Sequence, residues 1–186
     1  MAFKNDHLFK RALDKIQAEP NKSAQWDRPW KNEGLQMPDD ETVGIPYHHV
    51  LQVRRDIEQL IRRHSIDLRL SETIPGYCTG TDQILIPRPS SFKSKAMWYQ
   101  TLFHEMGHWT GSRIGRGSTM MINHPVINSA EEVVAELTSA FLCEAYDIKG
   151  EQHARYIDGF VGNVPPKFLK TVMAQAVKAT NYLLQK

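Results

Sequence analysis

The five residues His104-Glu105-Met106-Gly107-His108 constrain this chain more than any other stretch. They lie in a run predicted to be helical from about Ser94 to Thr110, with Gly111 placed to end the helix in a left-handed cap. Four residues of helix rise about 6 Å and turn about 40° past a full turn, so both imidazoles leave one face. At that separation two ring nitrogens can each sit about 2.0–2.1 Å from a single zinc ion. Glu105, next to the first imidazole, can then hold a metal-bound water and take its proton. The pattern reads as a metallopeptidase site built on one helix, and it needs a further ligand from elsewhere in the fold.

One ligand set is excluded at once. The pattern H-E-x-x-H-x-x-G-x-x-H places a third histidine at position 114, where this chain has Ile114, although Gly111 is in place. Met120-Met121 therefore reads as packing and not as a Met-turn. Cys78 and Cys143 are too few for a thiolate site. What remains is a carboxylate on a downstream helix, the His₂Glu set. Ser129 is expected to open that helix, which runs to about Tyr146 with Val133, Val134, Leu137, Ala140 and Phe141 as its core face. Glu132 and Glu136 share one face of it, and Glu131 points about 100° away from Glu132. The spacing favours Glu132 as ligand and Glu136, one turn on, as acceptor of a hydrogen bond from a ligand imidazole. Glu132 has a competing use, because Ser129-Ala130-Glu131-Glu132 also matches an S-x-x-E capping box. Glu136 and His124 stay open as alternative ligands.

At 186 residues, 41% hydrophobic and 24% charged, the chain suits one globular domain with an extension. No apolar run approaches the roughly 18 residues of a membrane span. Two cysteines make no disulfide framework, and the polar start Met1-Ala2-Phe3-Lys4 lacks the apolar core of a secretory signal. Both fit a cytoplasmic location. A helix is expected over 4–18, then a loop-rich stretch with Trp26 and Trp30, then a second helix over 47–64. Ile66–Leu70 alternates like a half-buried strand, and 75–79 with 82–87 reads as a strand pair joined at Gly80-Thr81. A short helix over 151–161 and a last one over about 165–185 complete the chain, with Pro165 and Pro166 in the first turn of the last. The expected class is α+β of the zincin type: a small sheet packed on an active-site helix and a glutamate helix, with a mostly helical C-terminal half.

Two blocks carry a family resemblance. The first is Phe92-Lys93 followed by Tyr99 to Gly111; the second is Glu131 to Leu137 followed by Ala140-Phe141-Leu142-Cys143. Together with Asp82-Gln83-Ile84, Pro87 and His153 to Ile157, they resemble the zincin-like metallopeptidase domain of ArdC-type antirestriction proteins and of plasmid and phage polyvalent proteins. The resemblance covers roughly 65–185 and implies a gluzincin arrangement in which Glu132 stands where the third ligand belongs. Members usually carry a sizeable upstream domain that binds single-stranded DNA. Here about 65 residues precede the zincin part, and only Trp26-Asp27-Arg28-Pro29-Trp30, Pro38 and Gly44 to Tyr47 resemble that domain's opening. The expected division is an extension over 1–46 and a zincin-like domain over 47–186.

The expected activity is zinc-dependent hydrolysis of a peptide or protein substrate, with His104, His108 and Glu132 as metal ligands, Glu105 as general base and Glu136 behind a ligand imidazole. Manganese or another divalent ion could occupy the same ligands. His153 and Tyr156, three apart on one helical face, are candidates to stabilise the oxyanion, with Arg113 as a weaker one. The rival class is a zinc-stapled binding module. It would use a basic rim of Arg88, Lys93, Arg113 and Arg116 to hold DNA, single-stranded DNA included, or a DNA-processing protein. The net charge of +2 gives that rival no support over the whole chain.

Overall fold

The computed structural model describes residues 45–49, 51–72, 74–116, 125–149 and 164–185. The expected helices over 4–18 and 151–161 lie outside these residues. So do Trp26, Trp30, Met120, Met121, His124, His153 and Tyr156.

Four strands, β1 (Ile45–Pro46), β2 (Asp67–Leu70), β3 (Gly76–Cys78) and β4 (Gln83–Ile86), form one mixed sheet in the order β1-β2-β4-β3. The strand pair expected at Gly80-Thr81 is an antiparallel hairpin in which Tyr77 faces Ile84. Its turn closes through Asp82 at φ 56°, a left-handed position that aspartate tolerates better than most residues. β2 runs parallel to β4, and Leu68 and Leu70 point into the core while Asp67 and Arg69 pair at the surface. β4 is buried at all four positions, as its unbroken apolar run Ile84-Leu85-Ile86 requires of an interior strand.

The helices are α1 (Arg55–Arg63), α2 (Lys95–Trp109), α3 (Pro125–Ala145) and α4 (Pro166–Leu184). Across the expected second helix, 47–64, only a 3₁₀ turn at Tyr47–His49 and then α1 form. The chain between them is extended at Arg54, whose backbone N–H donates to the Tyr99 hydroxyl on α2. A tertiary hydrogen bond there takes the donor that a continuous helix would have used. Ser65 (φ 52°) and Asp147 (φ 50°) then close α1 and α3 in left-handed turns, with Ile66 N–H reaching the Ile61 carbonyl and Ile148 N–H reaching that of Cys143.

α2 is buried on almost every side, which its sequence Trp98-Tyr99-Gln100-Thr101-Leu102-Phe103 anticipates by having no continuous polar face. Ser94 caps it by accepting the Met97 N–H. One core joins α1, α2 and the sheet through Ile57, Leu60, Leu68, Ile84, Ile86, Trp98 and Phe103. Each such side chain contributes roughly 1.5–3 kcal/mol by leaving water. A second core joins α3 to α4 through Val133, Val134, Leu137, Phe141, Val172 and Ala176. α3 is thus buried on two faces, against α4 and against α2. Its first residue is Pro125, so Ser129 lies a full turn inside and is itself buried. The capping-box use of Glu132 is therefore overturned, because no helix start is there to cap.

The end of α2 also departs from expectation. Gly111 is not the left-handed residue; the chain keeps turning through Ile114, whose N–H reaches the Thr110 carbonyl. Gly115, at φ 72°, makes the closure, and Arg116 N–H then bonds the Gly111 carbonyl. Lys178 on α4 holds this turn by donating to the Ile114 carbonyl at 2.6 Å.

Candidate metal centre

α2 and α3 cross where neither presents bulk. A Cβ built on Gly107 would meet the Ala135 Cα at 2.8 Å, so this glycine is what lets the two backbones approach. The close approach sets the glutamates of α3 directly opposite the imidazoles of α2. His104 Nε2 and His108 Nε2 face each other at 3.1 Å. Glu132 straddles them, with Oε2 3.4 Å from His104 Nε2 and Oε1 3.6 Å from His108 Nε2. His104, His108 and Glu132 are the group of potential metal ligands found among the described residues.

The remaining ring nitrogens both face carboxylates. His108 Nδ1 bonds Glu131 Oε1 at 3.2 Å, within the buried interior. His104 Nδ1 lies 3.2 Å from Glu136 Oε1, at an angle too poor for a full hydrogen bond. An imidazole whose Nδ1–H faces a carboxylate presents a lone pair at Nε2. Two such lone pairs 3.1 Å apart repel unless something positive lies between them and Glu132. Tetrahedral donors about 2.0–2.1 Å from one ion are about 3.3–3.4 Å apart, close to the spacings found here. The donor set fits a divalent cation.

The electrostatics point the same way. Burial lowers the affinity of His104 for a proton, but Glu132 and Glu136 outweigh it and raise its pKa well above the ordinary value. His108 is raised likewise, by Glu132 and Glu131 against burial. A pocket that draws protons onto two imidazoles draws a metal cation by the same field. Glu131 is pushed up by burial, yet the hydrogen bond and charge of His108 and the charge of Arg116 bring it down to about 2. Glu105 is buried, and desolvation raises its pKa even though both histidines and the backbone N–H of Tyr77 favour its charged form. A carboxylate moved up in this way is a stronger base than a solvated one.

Two neighbours of the site escaped the sequence reading. Glu131, expected to point away, is among the described residues one of the most enclosed carboxylates, held by His108 and by Arg116. The 100° rotation from Glu132 is correct, but it turns Glu131 inward, towards α2. The available signal was the stripe Glu131, Ala135, Ser139, Leu142, whose small residues mark a second packing face. Arg116 was placed on a basic rim. Its side chain is instead buried, donating to both Glu131 oxygens at 2.8 Å and to the Gly107 carbonyl at 2.6 Å. Arg113 is committed too: it stacks 3.4 Å over the Trp109 ring and pairs with Asp82. The rim loses two of its four cations to internal contacts.

Residues 55–170 match the family described as zincin-like metallopeptidase, MPTase-PolyVal. Two Escherichia coli proteins named DNA primase TraC are 32% identical over 117 residues and 35% identical over 92, covering 58% and 46% of this chain. The chain spans only 8% of the length of each. Two crystal structures of the antirestriction protein ArdC from plasmid R388 are similar in fold. The metal-free one is 27% identical with a TM-score of 0.55, over 71% of this chain and 50% of that one. The Mn(II)-bound one is 26% identical with a TM-score of 0.56, over 78% and 56%. The chain belongs to the zincin-like metallopeptidase family.

Proposed function

We propose, from that membership, that the chain is a metal-dependent peptidase acting on a peptide or protein substrate, with zinc as its ion and His104, His108 and Glu132 as the ligands. The observation that carries this reading is the setting of Glu105, buried beside both imidazoles on the same helix with its pKa raised. A bound divalent ion would supply Lewis-acid polarisation of the scissile carbonyl and a more acidic water. Glu105 takes the proton from the attacking water and passes it to the leaving amine. Tyr77 N–H steadies that carboxylate from the adjoining strand β3. Glu131 and Glu136 orient the two rings through their Nδ1 atoms. His153 and Tyr156 are assigned to the oxyanion, on their spacing in the sequence.

Glu105→Gln is the direct test. Hydrolysis of a peptide library or host lysate should fall by at least about a hundredfold, the usual weight of a general base, while zinc content stays at the wild-type level. Full activity with metal retained would remove Glu105 as the base. Manganese is the first alternative ion, because the ArdC structure named above is Mn(II)-bound. Metal analysis of protein purified without added metal separates the two.

A second reading draws on the relatives, which are named as a DNA primase and an antirestriction protein. In it the zincin fold holds DNA, single-stranded DNA included, or a DNA-processing protein, and hydrolysis is incidental. A salt-dependent shift of single-stranded DNA by the Glu105→Gln protein would favour it. We place the chain on a plasmid or phage and in the cytoplasm. The buried, non-disulfide Cys78 and Cys143 support the latter, and no described helix is long and apolar enough to cross a membrane.

A further inference from the structure

We propose that Arg116 is a positioning residue for the metal centre, setting metal affinity by fixing the orientation of His108 through Glu131. The inference rests on the metal-site reading above.

Arg116 uses its fork fully. Nε donates to Glu131 Oε2 and Nη2 to Glu131 Oε1, both at 2.8 Å, so the carboxylate plane is set by the guanidinium. Oε1 then has one remaining direction, and His108 Nδ1 occupies it at 3.2 Å. With Nδ1 anchored there, the ring can turn only so that Nε2 faces His104 Nε2 and Glu132. The same Nη2 also donates to the Gly107 carbonyl, the residue before His108, at 2.6 Å. One guanidinium therefore ties the motif backbone on α2 to the carboxylate on α3 that orients the motif's second ring.

Stability alone does not account for this arrangement. A buried ion pair is often matched or exceeded in stability by an apolar pair of the same shape, since both charges must leave water. What an apolar pair cannot do is fix a carboxylate against an imidazole nitrogen. The approach of the chain is built for the purpose as well. Gly115 takes the left-handed conformation with no Cβ contact within 4 Å, so its role is to turn the backbone rather than to make room. That turn sends Arg116 back under Thr110, whose hydroxyl lies 3.3 Å from Nη1 and itself donates to the Gly107 carbonyl. A lysine would keep the charge but not the fork.

The test measures Zn(II) affinity of the full chain by competition with a chromogenic chelator. It uses wild type, Arg116→Gln, Arg116→Lys, Glu131→Gln and the Arg116→Gln/Glu131→Gln double variant, each checked for fold by circular dichroism. Loss of a partner behind a metal-bound histidine typically costs 10–100-fold in affinity. We expect Arg116→Gln to bind zinc about tenfold or more weakly, Arg116→Lys to fail to restore affinity, and Arg116→Gln to add less than twofold once Glu131 is glutamine. A structural role would lower the melting temperature without that loss of coupling. Affinity within twofold of wild type in a folded Arg116→Gln or Arg116→Lys protein overturns the proposal, as does a full effect of Arg116→Gln in the Glu131→Gln background. Wild type that takes up no metal overturns the metal-site reading as well, which keeps the two failures apart.

Discussion

The two histidines of the motif sit four residues apart on one helix, yet they are held in different ways. His108 is 3% exposed, and the carboxylate behind it is 5% exposed and gripped by Arg116. His104 is 17% exposed, faces Glu136 across a poor angle, and shares Glu132, which is 31% exposed. One flank is locked into the α2–α3 crossing, and the other opens to solvent. The pairing gives a metal site a fixed end that defines geometry and an accessible end at which water can exchange.

Glu132 is common to both flanks, so Glu132→Ala should have the largest effect, abolishing zinc uptake at stoichiometric concentrations as read by metal analysis. Retained zinc would mean that Glu132 is not the required third ligand. The locked flank should also carry the acid sensitivity of the metal-free protein. Glu131 ionises at about 2 in the fold against 4.5 in its absence, so its contribution is complete above about pH 4.5 and is lost as pH falls towards 2. That amounts to roughly 3 kcal/mol, and Glu131→Gln should flatten the acid limb of urea-unfolding curves. An equal flattening by Glu136→Gln would erase the distinction between the flanks.

Gly107→Ala tests the crossing itself. Overpacking against the Ala135 backbone should lower stability by roughly 2 kcal/mol, outweighing the ~1 kcal/mol of helix propensity gained, as measured by the urea midpoint. Smallest of all should be Glu136→Gln on the open flank. It should weaken zinc binding about tenfold while moving unfolding stability by less than about 0.5 kcal/mol.

Sequence reading reached the open flank and, of the locked one, only His108. The 3.6-residue period alone sets His104 and His108 on one face and pairs Glu132 with Glu136, and the structure brings those four together. The hairpin and the existence of β2 follow from two-residue alternation and a Gly-Thr turn, but the parallel pairing of β2 with β4 does not. Glu131 was lost because the pattern Val133, Val134, Leu137, Phe141 suggests a helix with one buried face, whereas α3 has two. Arg116 was lost because an arginine in a polar loop looks solvated unless its carboxylate partner is known to be buried. The left-handed closure at Gly115 rather than Gly111 has the same origin: both are glycines, and only the distance back to Glu131 selects between them. The late start of α1 is decided by a tertiary hydrogen bond that no local pattern encodes, whereas Pro125 at the first position of α3 is a local helix-start signal.

The bond from Lys178 to the Ile114 carbonyl joins the last helix to the turn that delivers Arg116. Thermodynamic linkage is reciprocal. If docking of α4 favours the turn that completes the site, then an ion in the site favours docking of α4 by the same free energy. The C-terminal helix is in that sense a sensor of occupancy. Its amide-exchange protection should rise when metal is bound, at positions far in sequence from any ligand.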